Sequence, residues 1–292
     1  MPHPLSFLDS AYIAFRFNSP PPPKIYGRDV FLAKDEEEYV CGWHVDDYGF
    51  WPADPHSPGI NAWVALDDMP IKNGGGFALA IGTHAADWRM DAHRAVGSTL
   101  TYPPGGFADA KDMFDNRIGN GTCNLATAAP ELNDRMEEVK RIYDIKRGDV
   151  IFFDRWLFHR TVPFDRDVVR HRRGRHRGHR AGYEADPPPP LLHRRYSIRY
   201  APGSATLPGG YGTELSVLWD ESNAGRTLDD VCRRDGPWYP RAWPDVSDEE
   251  MEGLRDVAGS KLPVAEGRRK ERLREMKPYL DGLSARNVKQ MA

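Results

Sequence analysis

Glu38-Tyr-Val-Cys-Gly-Trp-His44-Val-Asp46-Asp-Tyr48 is an apolar run broken by a histidine and an acid two residues apart. On an extended chain, residues i and i+2 point to the same face. His44 and Asp46 therefore project side by side, one imidazole and one carboxylate. These are two of the three donors of a 2-His-1-carboxylate facial triad, which holds a non-haem metal and leaves coordination positions open. A His-x-Asp tripeptide arises readily by chance, so the remainder of the chain has to supply a third donor and a fold to carry it. Asp47 is one residue out of phase, points to the other face and is given no ligand role.

The chain has 292 residues, 40% of them hydrophobic and 28% charged, enough for one large domain with a proper core. A net charge of −3 gives no global pull toward nucleic acid, and none is expected as a partner. The three cysteines, Cys41, Cys123 and Cys232, form no CxxC pair, which points to a reducing compartment and away from a disulfide framework. The first residues lack a basic segment followed by a sustained apolar one, and no apolar run approaches a membrane span. A cytoplasmic location and no membrane partner are the expectation.

Outward from His44, short strands dominate. Strand patterns are read at Ala11–Phe17, Arg28–Lys34, Ile60–Leu66, Phe77–Ile81, Arg141–Ile145, Val150–Phe153 and Arg194–Tyr200. The aromatic loop from Tyr48 to Gly59 and the Asn73-Gly-Gly-Gly76 turn separate some of them. A helix is expected around 129–142. Two more, at about 248–258 and 267–284, follow a Ser247-x-x-Glu250 capping box. The Arg/His-rich stretch 165–192, ending in Pro187–Pro190, reads as an exposed, mobile insert. The expected division is a mainly β domain over 1–245 and a helical extension over 246–292. Strands at such spacing argue for an antiparallel sandwich or barrel with flanking helices.

A second histidine is required, and His56, His84, His159, His171, His176, His179 and His193 are available. His159 stands out because it follows the apolar strand Val150–Phe153, itself entered through the Gly148-Asp149 turn. On its own, a histidine at a strand end is as well explained by packing.

The order of segments resembles the phytanoyl-CoA dioxygenase family of Fe(II)/2-oxoglutarate oxygenases. The matching pieces are Trp43-His-Val-Asp46, Trp63-Val-Ala-Leu-Asp-Asp68 and Asn73-Gly-Gly-Gly-Phe-Ala-Leu-Ala-Ile-Gly-Thr-His84. They continue with Gly148-Asp-Val-Ile-Phe-Phe through His159-Arg160 and with an arginine strand inside Arg194–Tyr200. The resemblance covers about residues 28–202. It implies a double-stranded β-helix, the cupin-like jelly roll, with iron held by His44, Asp46 and His159. Related halogenases lack the carboxylate, so Asp46 points to hydroxylation. The implied activity is hydroxylation of an unactivated C–H of a small molecule, using Fe(II), 2-oxoglutarate and O2 and releasing succinate and CO2.

The far carboxylate of 2-oxoglutarate suits a bidentate guanidinium. The family places this arginine soon after the distal histidine. Here Arg195 lies 36 residues beyond His159, because the basic stretch intervenes. Arg195-Tyr-Ser197 resembles the Arg-x-Ser of related oxygenases, and Arg195, Ser197 and Arg199 share one strand face while Arg194 faces away. Arg195 is the first choice, with Arg199 and Arg194 behind it. Trp43, Tyr48 and Trp51 are candidates for the substrate mouth, with Phe50 beside them, and core packing is the plainer account of each. Lys34 is read as a surface residue, with contact to an anionic substrate or co-substrate as the alternative, and Thr83-His84 as a strand end rather than a ligand pair. The short N-terminus suggests helices missing relative to typical family members. Two other readings stay open: a non-catalytic jelly-roll binding protein, and a cupin-type metalloenzyme that does not use 2-oxoglutarate.

Overall fold

The computed structural model describes residues 25–35, 42–46, 53–103, 106–109, 111–112, 115, 125–177, 191–207, 224–230 and 241–243, with isolated positions between 267 and 278. The strands are β1 (Ile25–Asp35), β2 (Ile60–Ala65), β3 (Phe77–Ala80), β4 (Lys140–Ile142), β5 (Val150–Asp154), β6 (His159–Thr161), β7 (Leu192–Pro202) and β8 (Arg241–Trp243). The helices are α1 (Arg89–Val96), α2 (Leu125–Ala128), α3 (Pro130–Glu138) and α4 (Arg166–Arg177).

All described pairings are antiparallel. One sheet runs β5-β2-β7-β1-β8 and the other β4-β3-β6. β2 is the hinge of the first sheet's register. Asn61 sits opposite both Phe153 and Arg199, Trp63 opposite both Ile151 and Ser197, and Ala65 opposite Arg195. Cross-strand partners share a face, so these residues line one surface. Their alternation is visible in burial: Ser197 and Arg199 are buried, whereas Arg194 is exposed.

Two apolar layers result. Trp63, Ala65, Phe77, Leu79, Phe153 and Leu157 form a cluster that draws on strands of both sheets. Ala78 and Ala80, on the other face of β3, pack with Trp43, Val45, α1, α2 and α3. β3 is thus buried on both sides, which explains why it reads as an unbroken apolar run. His93 of α1 lies fully buried in the helical layer, edge-on to Trp156 at 5.3 Å and 5.0 Å from the Phe158 ring.

The glycine turn after Asn73 is fixed by close approach. A Cβ on Gly75 would stand 2.4 Å from the Phe164 ring and 2.6 Å from His193 Nδ1, and its φ is +72°. Only glycine fits that combination.

Several elements differ from the sequence expectation. The helix expected over 129–142 ends at Glu138, because Lys140–Ile142 pairs with β3. The basic stretch 165–192 does not begin as irregular chain. Asp165 Oδ1 accepts from the backbone N–H groups of Asp167 and Val168, Arg170 pairs with Asp167, and a helix follows. An aspartate cap and an acid in the first turn are strong local starts that the charge count concealed. Among residues 42–46, only His44 is paired. Residues 11–17, 47–52, 178–190 and 248–258 lie outside the described residues. Of 267–284, the described positions are helical. No described helix is long and apolar enough to cross a membrane.

Candidate metal centre

One reciprocal backbone contact builds the site. The His44 N–H donates to the His159 carbonyl at 3.1 Å, and the His159 N–H returns to the His44 carbonyl at 3.0 Å. Directly opposed antiparallel residues project to the same side, so the two imidazoles meet with ring centroids 4.6 Å apart. Asp46, two residues on, joins them. Donor atoms of His44, Asp46 and His159 all lie within 4.8 Å of one another. His159 also pairs with Leu79 on its other edge, which locks its strand in place.

The imidazoles are oriented from behind. His44 Nδ1 lies 2.8 Å from the Gly42 carbonyl, and His159 Nδ1 lies 3.0 Å from the Leu157 carbonyl. With Nδ1–H donating to a carbonyl, the Nε2 lone pair of each ring is free to bind a metal. Burial pushes the His44 imidazole down to about 4, helped by the neighbouring His159. It is therefore neutral at physiological pH, as a ligand must be. Burial alone would raise the Asp46 carboxyl. The Arg199 guanidinium, 2.6 Å from Oδ2, outweighs it and holds the carboxyl well below the usual range. Two imidazoles and one ionised carboxylate on one face are the donor chemistry of a non-haem Fe(II) site, and these residues fit that ion.

Phe77 and Phe153 wall the site, their rings 5.2 Å and 5.1 Å from the His159 ring. Arg199, 2% exposed, reaches from the other sheet to Asp46 Oδ2 at 2.6 Å. Ser197 is buried and Arg195 half-buried on the same face of β7. Arg195 is close enough for its charge to lower the affinity of His44 for protons. Arg194 points outward and pairs with Asp67, whose carboxyl it holds down to about 2.

Trp43 does not line the site. It is 1% exposed, sits in the helical core layer, and donates from Nε1 to Glu137 at 2.9 Å. The same parity that unites His44 and Asp46 turns Trp43 and Val45 away. Tyr48, Phe50, Trp51 and Asp47 lie outside the described residues, as does the Lys34 side chain. His84 is exposed and apart from the triad.

Four supports were not foreseen. Thr83 Oγ1 accepts from the Phe158 N–H at 3.1 Å and donates to the Ala80 carbonyl, so the Gly-Thr-His turn braces the residue before His159. Glu137 binds both Trp43 and Arg160, the neighbours of His44 and His159. Arg155, 1% exposed, donates to the carbonyls of Asp54 and Ser57 and so ties down residues 54–57. Asn61 is 0% exposed with neither amide atom hydrogen-bonded. The signal for it was available: a polar residue in the inward phase of an alternating apolar strand.

Residues 30–171 match the family model for phytanoyl-CoA dioxygenase (PhyH). No curated protein sequence matches the chain. Among solved structures, similarity is found to SnoK, a non-heme alpha ketoglutarate dependent carbocyclase from nogalamycin biosynthesis. Identity is 17%, covering 75% of this chain and 62% of that one, with TM-score 0.43. The non-heme monooxygenase ThoJ, as its Ni complex, is 14% identical, covering 94% and 73%, with TM-score 0.42. AviO1 from Streptomyces viridochromogenes Tue57 is 15% identical, covering 63% and 54%, with TM-score 0.33. The chain spans less than two thirds of the length of SnoK and AviO1. The family uses Fe(II) and 2-oxoglutarate. The stretch that matches the phytanoyl-CoA dioxygenase family model, residues 30–171, holds His44, Asp46 and His159.

Proposed function

We propose that this chain is an Fe(II)- and 2-oxoglutarate-dependent hydroxylase acting on an unactivated C–H of a small molecule in the cytoplasm, and that its two sheets are the faces of a double-stranded β-helix. The observation that carries this reading is the triad: two imidazoles oriented by backbone carbonyls and one ionised carboxylate, with donor atoms within 4.8 Å. His44, Asp46 and His159 would hold the metal. Arg195, supported by the buried Ser197, would take the far carboxylate of 2-oxoglutarate, since a guanidinium matches a carboxylate in two hydrogen bonds. Arg199 keeps to Asp46 and fixes the direction in which that carboxylate presents its other oxygen. When bound, Fe(II), 2-oxoglutarate and O2 supply an oxidative decarboxylation that yields succinate and CO2 and replaces C–H with C–OH.

The protein's own part is to bind, orient and exclude water. Phe77 and Phe153 keep the side of His159 dry, which strengthens every charge interaction within. His44 stays neutral without a proton to lose on binding. The test is succinate formation by the purified chain with Fe(II), 2-oxoglutarate and candidate substrates. His44→Ala and His159→Ala should each abolish it; activity retained in either variant refutes the reading. An anaerobic titration with Fe(II) and 2-oxoglutarate should develop a weak visible charge-transfer band.

A further inference from the structure

Among the described residues, Asn61 is the one buried side-chain amide on the surface that carries Ser197 and Arg199, and register places it there. It sits opposite Arg199 on one side and Phe153 on the other. Arg199 touches Asp46, and Phe153 packs on His159. The Asn61 side chain therefore emerges between the two residues that contact the triad. It is fully buried, yet Nδ2 and Oδ1 both lack a hydrogen-bond partner. Leaving a primary amide buried and unpaired is costly, and native chains rarely tolerate it without a purpose. The indole N–H of Trp63, next along the same face, is buried without a partner as well. Packing alone gives no reason for asparagine here, because the neighbouring inward positions of β2 are Trp63 and Ala65.

We propose that Asn61 is a binding residue for the metal end of the co-substrate, an inference that rests on the 2-oxoglutarate reading above. Arg199 is balanced by Asp46, and Arg195 on the same face of β7 presents a guanidinium, which suits an anionic ligand. Arg195 lies four residues from Arg199 on β7, about 13 Å along an extended strand, and serves the far end of the diacid. Asn61 lies opposite Arg199, at the triad. Its Nδ2 donates to the carboxylate next to the 2-oxo group. That hydrogen bond gives Asn61 Nδ2 a partner that the protein itself does not supply.

The experiment compares wild type, Asn61→Leu and Asn61→Asp for binding of Mn(II), then of 2-oxoglutarate to the Mn(II)-loaded protein, by calorimetry. Thermal melting of each metal-free protein runs in parallel. Asn61→Leu should bind Mn(II) as wild type does, melt no lower, and bind 2-oxoglutarate about 10- to 100-fold more weakly, the cost of losing a hydrogen bond to a charged group. Asn61→Asp, nearly the same shape, should weaken 2-oxoglutarate at least as much by setting carboxylate against carboxylate; it decides the matter if the leucine variant does not fold. Unchanged 2-oxoglutarate affinity in either variant overturns the proposal. So does a lowered melting temperature of Asn61→Leu with unchanged affinity, which would make Asn61 a packing residue. Wild type that binds Mn(II) but no 2-oxoglutarate overturns the co-substrate reading itself, and the proposal with it.

Discussion

His93 makes the acid stability of this chain predictable from one side chain. It lies fully buried between Trp156 and Phe158, and neither ring nitrogen has a hydrogen-bond partner. Burial, and secondarily the charge of Arg89, push it down to about 3 from an ordinary value of 6.5. The folded chain thus keeps His93 neutral where the unfolded chain protonates it. Between pH 6.5 and 3 the unfolded state binds the extra proton, so stability is complete above 6.5 and falls as pH falls. At pH 4.5 the unfolded-state advantage is close to two factors of ten, or roughly 3 kcal/mol at about 1.4 kcal/mol each. That is a large share of the total stability of an ordinary domain, about 5–15 kcal/mol. His44, pushed down to about 4, adds its own loss over much of the same window in the metal-free protein, so the measurement has to be a difference. His93→Leu, of similar volume, removes two unpaired nitrogens and an edge contact. These effects oppose each other, and its stability at pH 7.5 should lie within about 1–2 kcal/mol of wild type. Urea unfolding followed by tryptophan fluorescence at pH 7.5 and 4.5, without metal, gives the comparison. Wild type should lose roughly 3 kcal/mol more than His93→Leu between the two conditions. An equal loss in both proteins would refute the reasoning. The consequence reaches the site, because Phe158, against which His93 packs, immediately precedes His159.

Other perturbations test the supports around the triad. Thr83→Val keeps the shape but leaves the Phe158 N–H without its acceptor; a stability loss of about 1–3 kcal/mol is expected, and a urea midpoint equal to wild type would contradict it. Glu137→Ala removes the partner of both Trp43 Nε1 and Arg160. It should lower stability and weaken Mn(II) binding together, whereas a loss of stability at constant metal affinity would show that these contacts do not steer the ligands. Gly75→Ala and Gly82→Ala form a matched pair. Both backbones have positive φ, +72° and +83°, but only at Gly75 does a Cβ meet neighbours. Gly82→Ala should cost about 1–2 kcal/mol and Gly75→Ala several more, since overpacking is added to strain; equal midpoints would show that Phe164 and His193 yield freely.

Much of the candidate centre was legible because it depends on strand parity. His44 and Asp46 share a face for a reason that needs no partner strand, and the same rule divides Arg195, Ser197 and Arg199 from Arg194. Parity also holds the answer for Trp43, which a cluster of neighbouring aromatics had drawn toward the substrate mouth; one residue out of phase with His44, it belongs to the helical core. The helix Arg166–Arg177 was missed because a dense run of arginines masks the aspartate cap that starts it. Asn61 was passed over because a polar residue in a strand has a meaning only when its neighbours are known.

By itself the sequence determined the donor types, the period-2 alternation that makes β2 and β7 two-faced, and a glycine turn that admits nothing larger. These are local properties of the chain, set by backbone geometry and side-chain chemistry. Only the tertiary structure decided which of several histidines meets His44, since that rests on one reciprocal backbone pairing across 115 residues. It likewise decided that Arg199 is the arginine that touches Asp46, and that Thr83 and Glu137 brace the residues flanking the triad. Such contacts depend on which strands lie beside each other, and no spacing within a strand encodes that.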